Sequence, residues 1–354
     1  MKKTLQSALL ITAGALLAGC PNQSNEGYLL TYLDQSKQVH VRFSASGAAR
    51  SWQTGTFPVS ATEQSAGLGA SADNSGNVYL VAANLRPGVA VWNGVGANTW
   101  QDVSPDRNSN NVPSSDSVPA VAFAAPGLWF IAFNSSQNNL ELHLYNPAAQ
   151  TLAPGNLASS VPASGILGAP AVTSDRQGQH VVLSWFNDAG ISVAVATIGQ
   201  GGQPANFTVT TPIPSGSSTP LPAPRSAPFL TTGEAGAFYL GYVGATLLPS
   251  VGSPRETQRV VILRSTDLVT WSLYGTEANA ANAGLTLRGI AGRSDGSVLV
   301  AKLSTASGFV LSRCSRSDPS SSTCSTWSGE DRSAFDATPF NAPFSLTRTG
   351  SPSS

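Results

Sequence analysis

Lysine is nearly missing from this chain: beyond Lys2 and Lys3, only Lys37 and Lys302 occur in 354 residues. Charge of either sign is scarce, at 11% of positions, with 19 basic side chains balanced by 19 acidic ones. A chain so poor in cations has no basic stripe to neutralise phosphates, so nucleic acid is not an expected partner. Cysteine and histidine occur three times each. His40, His143 and His180 have no ligand neighbours at metal-binding spacing and read as packed or surface histidines, so neither a metal nor another cofactor is expected. Gly-x-Ser-x-Gly, His-Glu-x-x-His, the P-loop and the dinucleotide fingerprint are all absent. No 3.6-residue apolar period is sustained, which argues against helical architectures. What remains is abundant Ser, Thr, Ala and Gly around short β-branched and aromatic runs, the composition of many short strands and turns.

The N-terminus is set apart from this body. Met1-Lys2-Lys3 is basic, and Ala8 to Gly19 is an apolar run of about a dozen residues, shorter than the roughly 20 a membrane span needs. It ends in Leu17-Ala18-Gly19-Cys20. That ending resembles the signal of bacterial lipoproteins, although an ordinary signal peptide with a chance cysteine would read similarly. The resemblance implies cleavage before Cys20, a diacylglycerol on its thiol, and anchoring in a membrane by two or more acyl chains. Pro21 follows, where inner-membrane lipoproteins often carry aspartate, so the outer membrane is expected, on its periplasmic or surface face. On this reading 1–19 is the signal, 20–27 a lipidated tether, 28–350 one domain and 351–354 a disordered tail.

Within the body, a unit recurs: a Pro- or Gly-led apolar strand, a tight turn, a longer β-branched strand, a third strand and often a fourth carrying Trp. Openings stand at Gly69, Pro119, Pro170, Pro228 and Gly289. Ala342-Pro343-Phe344 repeats the opening Ala227-Pro228-Phe229, but what should follow it is found at the other terminus, in Gly27-Tyr28-Leu29-Leu30-Thr31-Tyr32. A repeat split between the termini is how a circular array closes on itself, which predicts an all-β, six-bladed β-propeller sealed by pairing of its N- and C-terminal strands. A pair of stacked β-sandwiches would give no reason for the split. One such domain is expected as a monomer.

Ser265-Thr266-Asp267-Leu268-Val269-Thr270-Trp271 joins the outer strands of the Pro228 unit. It resembles the Asp-box of sialidase-like propellers, shortened and without its glycine. Such a turn has a mechanical logic: Asp267 can accept from the backbone of its own turn, while Trp271 packs between sheets. The motif marks fold rather than chemistry. Cys314 and Cys324, separated by a Ser-rich turn in an exported chain, read as a local disulfide.

The sialidase resemblance implies three arginines around a substrate carboxylate, with a Tyr–Glu pair and an aspartate. Arg86, Arg225 and Arg288 are the nearest candidates; isolated solvated arginines at loop ends are the plainer reading, and no Tyr–Glu pair can be placed. Arg255 and Glu256 fall in a stretch, 244–257, expected as a long loop, where either recognition or tolerated insertion would explain the length. The function expected is therefore a membrane-anchored module binding a protein or glycan, with an exo-glycosidase acting on surface glycans as the alternative.

Overall fold

The computed structural model describes residues 27–36, 38–44, 50–55, 68–73, 79–82, 89–92, 100–103, 118–135, 137–175, 177–214, 221–234, 236–248, 255–277, 284–304, 308–318, 321–328, 332–339 and 344–349. These form six antiparallel sheets. Residues 1–26, which include the expected signal, Cys20 and most of the tether, lie outside the described residues, and so, further along the chain, does Arg86.

In chain order, the first sheet joins Gly27–Leu33, Val39–Ser44 and Gln53–Gly55 to the last strand, Ser345–Thr349. Leu30 stands opposite Leu346 and Gly27 opposite Thr349, so the split repeat is completed by the chain's two ends. The second sheet (Gly69–Ala72 to Trp100–Asp102), third (Ala120–Ala125 to Thr151–Leu152), fourth (Ala171–Ser174 to Thr208–Pro214) and sixth (Thr286–Gly292 to Thr326–Trp327) are simple meanders of four strands.

The fifth sheet corrects the expectation of a six-bladed propeller. It has five strands, because its inner edge is made by two short pieces, Ala223–Pro224 and Phe229–Thr232. Both pair with one long strand, Phe238–Leu248. Between the two pieces the Ser226 hydroxyl takes the place of a backbone partner, accepting from Val243 N at 2.9 Å, and Pro228 has no backbone N–H to give. Regular four-stranded blades therefore number five rather than six, while the all-β propeller class stands. The 244–257 stretch also differs from expectation. Its described residues continue the hairpin, with Leu248 opposite Arg255 and Leu247 opposite Glu256, so Arg255 and Glu256 are strand residues rather than loop residues. Pro249, Gly252 and Pro254 punctuate the sequence like a loop, but cross-strand pairing carries the strands beyond that signal.

The core lies between sheets rather than within one. Trp185, Val181 and Leu183 of the fourth sheet pack with Phe130, Leu142 and Leu144 of the third. Tyr242, Leu240 and Val261 of the fifth meet Val182, Ile191 and Val193 of the fourth. Tyr28, Leu30 and Tyr32 of the first meet Leu299, Ala301 and Leu311 of the sixth. Each fully buried Leu, Val or Phe contributes about 1.5–3 kcal/mol, so stability is spread round the ring of contacts.

The Cys314–Cys324 disulfide forms, with Cα atoms 5.6 Å apart. It faces Gly275 of the fifth sheet, where an added Cβ would collide with Cys324 Sγ and come within 2.9 Å of its carbonyl oxygen. The cystine thus stiffens the outer edge of the sixth sheet and also fills its contact with the fifth.

Candidate functional site: the central cavity

Strand openings from all six sheets converge on one cavity of about 280 Å³. Its wall is made by the inner strands, each standing at the end of its sheet with one backbone edge unpaired by any further strand. Small side chains dominate: Ser71, Thr173, Thr231, Ser345 and Thr347 supply hydroxyls, and alanines and prolines fill the positions between. Some hydroxyls cap the exposed edge of the neighbouring strand. Gly292 N donates to Thr231 Oγ1 at 3.3 Å, and Thr347 Oγ1 donates to Ala70 O at 2.8 Å. This use of hydroxyls explains the Ser- and Thr-rich strand openings, because an unpaired backbone group away from water costs free energy.

Four charged residues line the cavity among the described residues: Asp73, Asp175, Arg288 and Arg348. Asp175 is committed to its own turn, accepting from Gln179 N at 2.6 Å and facing His180 Nδ1 at 2.8 Å. Arg348 reaches past the sixth sheet to the fifth, where Nη1 donates to Gly233 O at 2.5 Å; burial draws its pKa down to about 10. Arg288 is buried at a register shift between Leu287 and Gly289, a bulge that re-aims a side chain; burial lowers its pKa too.

Of the three candidate arginines, the cavity wall thus holds Arg288. Arg225 is placed elsewhere: its N donates to Val243 O at 2.8 Å and its Nη1 to Pro224 O at 3.4 Å, and it does not line the cavity. Arg86 is outside the described residues. No tyrosine, glutamate, histidine or lysine lines the wall among the described residues.

The Asp267 turn has the geometry its sequence suggests. Asp267 Oδ1 accepts from Thr270 N at 2.7 Å, Val269 N at 2.9 Å and Ser265 Oγ at 3.0 Å, while Ser265 Oγ accepts from Leu268 N at 2.9 Å. The Thr270 and Val269 amides are the main cause that pulls its pKa down to about 2. Leu268 takes a left-handed φ of 63°, where the Asp-box would have its glycine nearby, and its side chain is nonetheless buried. Trp271 packs against the cluster shared by the fourth and fifth sheets.

Two polar clusters were not foreseen from the sequence. Glu234 Oε1 is shared by Arg264, whose Nε lies at 2.8 Å, by Arg316 and by the Tyr239 hydroxyl at 3.3 Å. Arg316 Nε also donates to Tyr274 OH at 3.0 Å, tying the fifth sheet to the sixth. The second cluster centres on His40, whose two ring nitrogens both face carboxylates.

No family model matches the chain, and no curated protein matches it. Among solved structures, a mutant of the Aleuria aurantia lectin in complex with α-methyl-L-fucoside superposes with a TM-score of 0.55 at 9% identity, covering 89% of this chain and 93% of that one. A chain of a nidogen/laminin complex gives 0.54 at 10% identity, covering 91% and 98%. The chain has a β-propeller fold. At these identities the likeness is one of architecture alone, and a propeller's chemistry has to be argued from its own residues. A third similar chain, a protein from Lactobacillus plantarum, gives a TM-score of 0.50 at 14% identity, covering 87% of this chain and 82% of that one.

Proposed function

We propose that this chain is a cell-envelope lipoprotein whose propeller is a binding module for a protein or glycan, with the central cavity at its ligand seat. The observation that carries this reading is the composition of the wall: hydroxyls, small side chains and strand edges interleaved with Phe123, Phe229 and Phe344, and, of the three candidate arginines, Arg288. Such a surface can hydrogen-bond a polar ligand and exclude water, and among the described residues its carboxylates, Asp73 and Asp175, have no tyrosine, glutamate or histidine beside them on the wall. The exo-glycosidase alternative needs a Tyr–Glu couple beside three arginines, and the described wall supplies neither.

The site of the tether fits this arrangement. Gly27 stands beside Thr349, at the end of the ring where Arg348 reaches Gly233. With Cys20 acylated, the membrane would lie nearest that end, and the opposite end, reached by Leu248 and Arg255 of the Phe238–Leu248 and Arg255–Ser265 hairpin, would face outward.

The test is a glycan array probed with the purified chain, beside an assay with a fluorogenic sialoside. Array binding that weakens when Arg288→Gln alters the wall, without sialoside turnover, supports a binding module. Turnover that Arg288→Ala abolishes would reverse the assignment. Intact-mass analysis of membrane-extracted protein reads acylation at Cys20 directly, and its loss in Cys20→Ser is expected.

A further inference from the structure

Away from the cavity, a dense group of charged side chains joins the first sheet to the segment 332–339 that precedes the last strand. His40 Nε2 lies 3.2 Å from Asp34 Oδ2, and Nδ1 lies 3.0 Å from Asp336 Oδ1. Asp34 is fixed in its turn by accepting from Ser36 N and Gln38 N, both at 2.8 Å. Asp336 is further faced by Arg42 Nη1 at 3.0 Å, by Thr54 Oγ1 at 3.0 Å and by the Tyr32 hydroxyl, which also accepts from Asp336 N at 3.0 Å. Pro339 bridges to Asp34, and its carbonyl accepts from Gln35 Nε2 at 2.9 Å. The His40 ring stacks on Tyr32 with centroids 5.0 Å apart. Among the described residues, the titratable and charged groups around His40 are thus Asp34, Asp336 and Tyr32, with Arg42 across Asp336.

A neutral imidazole has one N–H, so it can donate to only one of two flanking carboxylates and turns a lone pair toward the other. Imidazolium donates to both. We propose that protonation of His40 clamps the 332–339 segment onto the first sheet, making it a strap that tightens as pH falls through the histidine range and loosens as pH rises.

The neighbouring groups keep their charge state across that range. Burial favours the neutral form of Asp34, but the Gln38 and Ser36 amides and His40 outweigh it and hold the carboxyl below its usual 3.8. Burial is likewise outweighed at Asp336 by Tyr32, Thr54, Arg42 and His40. Burial, followed by the bond to Asp336, pushes the Tyr32 phenol up, so it stays neutral. The carboxylates' own contribution is present above 3.8 and fades only on stronger acidification, so the clamp is firmest in mild acid.

The strap also touches the cavity wall. Phe335 packs on Tyr32 with centroids 5.3 Å apart and on Phe344 at 5.7 Å, and Phe344 lines the cavity. A loosened strap therefore releases one face of a wall residue.

The deciding experiment is amide hydrogen exchange of peptides covering 332–339 in the full chain at pH 5.5 and 8.0, each normalised to the rate of an unstructured peptide at that pH. Protection in the wild type is expected to fall roughly threefold to fivefold at pH 8.0, the scale of a partly exposed ion pair, and to be the same at both pH values in His40→Gln. Should that variant not fold, Asp34→Asn keeps an acceptor for the turn and is expected to reduce the pH dependence. Equal wild-type protection at both pH values, or an undiminished dependence in either variant, would overturn the proposal.

Discussion

Ser345 Oγ accepts a hydrogen bond from Ala70 N at 2.9 Å and donates one to Ala70 O at 3.1 Å. One hydroxyl on the last strand thus satisfies both backbone groups of one residue on the inner strand of the second sheet. Because Ser345 itself belongs to the first sheet, this bond pair also secures the junction at which the ring closes.

Ser345→Ala is expected to lower stability by about 1–2 kcal/mol, since it removes two hydrogen bonds and leaves a partly buried amide short of a partner. The double change with Thr347→Val, which removes the second donor to Ala70 O, should cost more than the sum of the two single changes, because each single variant leaves that carbonyl one side-chain donor and the double leaves it neither. Urea unfolding of the three variants measures both the loss and the coupling.

The contact between the fifth and sixth sheets depends on Gly275 having no side chain. Gly275→Ala should destabilise by about 1–3 kcal/mol, because its Cβ must displace the Cys314–Cys324 disulfide or distort the strand. In a Cys314→Ala/Cys324→Ala background the same change should cost less, as the sulfur atoms that obstruct it are gone. A double-mutant cycle by thermal melting checks this, and an unchanged cost would show that the backbone, not the cystine, sets the limit.

Asp267 gives a pH-dependent test. Its pKa in the folded chain is about 2, against an ordinary 3.8. A depressed carboxylate contributes stability above the unfolded value and loses it as pH falls through the folded value. Asp267→Ala should therefore melt below the wild type at pH 5 to 7, with the gap narrowing as pH drops from 3.8 towards 2. Parallel melting curves over that range would count against the turn geometry.

Glu234 carries two guanidinium groups, Arg264 and Arg316. Glu234→Ala is expected to cost about 1–3 kcal/mol and to exceed the effect of Arg264→Ala, because it leaves two like charges together, whereas the arginine change leaves one intact pair. Chemical denaturation of both variants decides the order.

Legibility in the sequence followed how local each feature is. Cys314 and Cys324 are ten residues apart, and Ser265 to Trp271 form one turn, so both could be read directly. The closure was legible because Ala342-Pro343-Phe344 repeats Ala227-Pro228-Phe229, and the structure places Phe344 and Phe229 alike on the cavity wall. The fifth sheet was misjudged because Pro249 and Pro254 resemble loop punctuation, while the pairing of Leu248 with Arg255 is a property of two strands together. Arg225 and Arg288 each precede a strand opening, but only the bulge at Arg288 brings one of them to the wall. The His40–Asp336 contact joins distant parts of the chain, and nothing near either residue announces it.

The most direct test of the account is amide hydrogen exchange across 345–349, the strand on which closure and the cavity wall both depend. The account predicts slow exchange there, matched to that of Gly27–Leu33, and loss of protection in both segments when Ser345 and Thr347 are replaced together. Exchange of 345–349 at the rate of an unstructured peptide, with the other inner strands still protected, would contradict it.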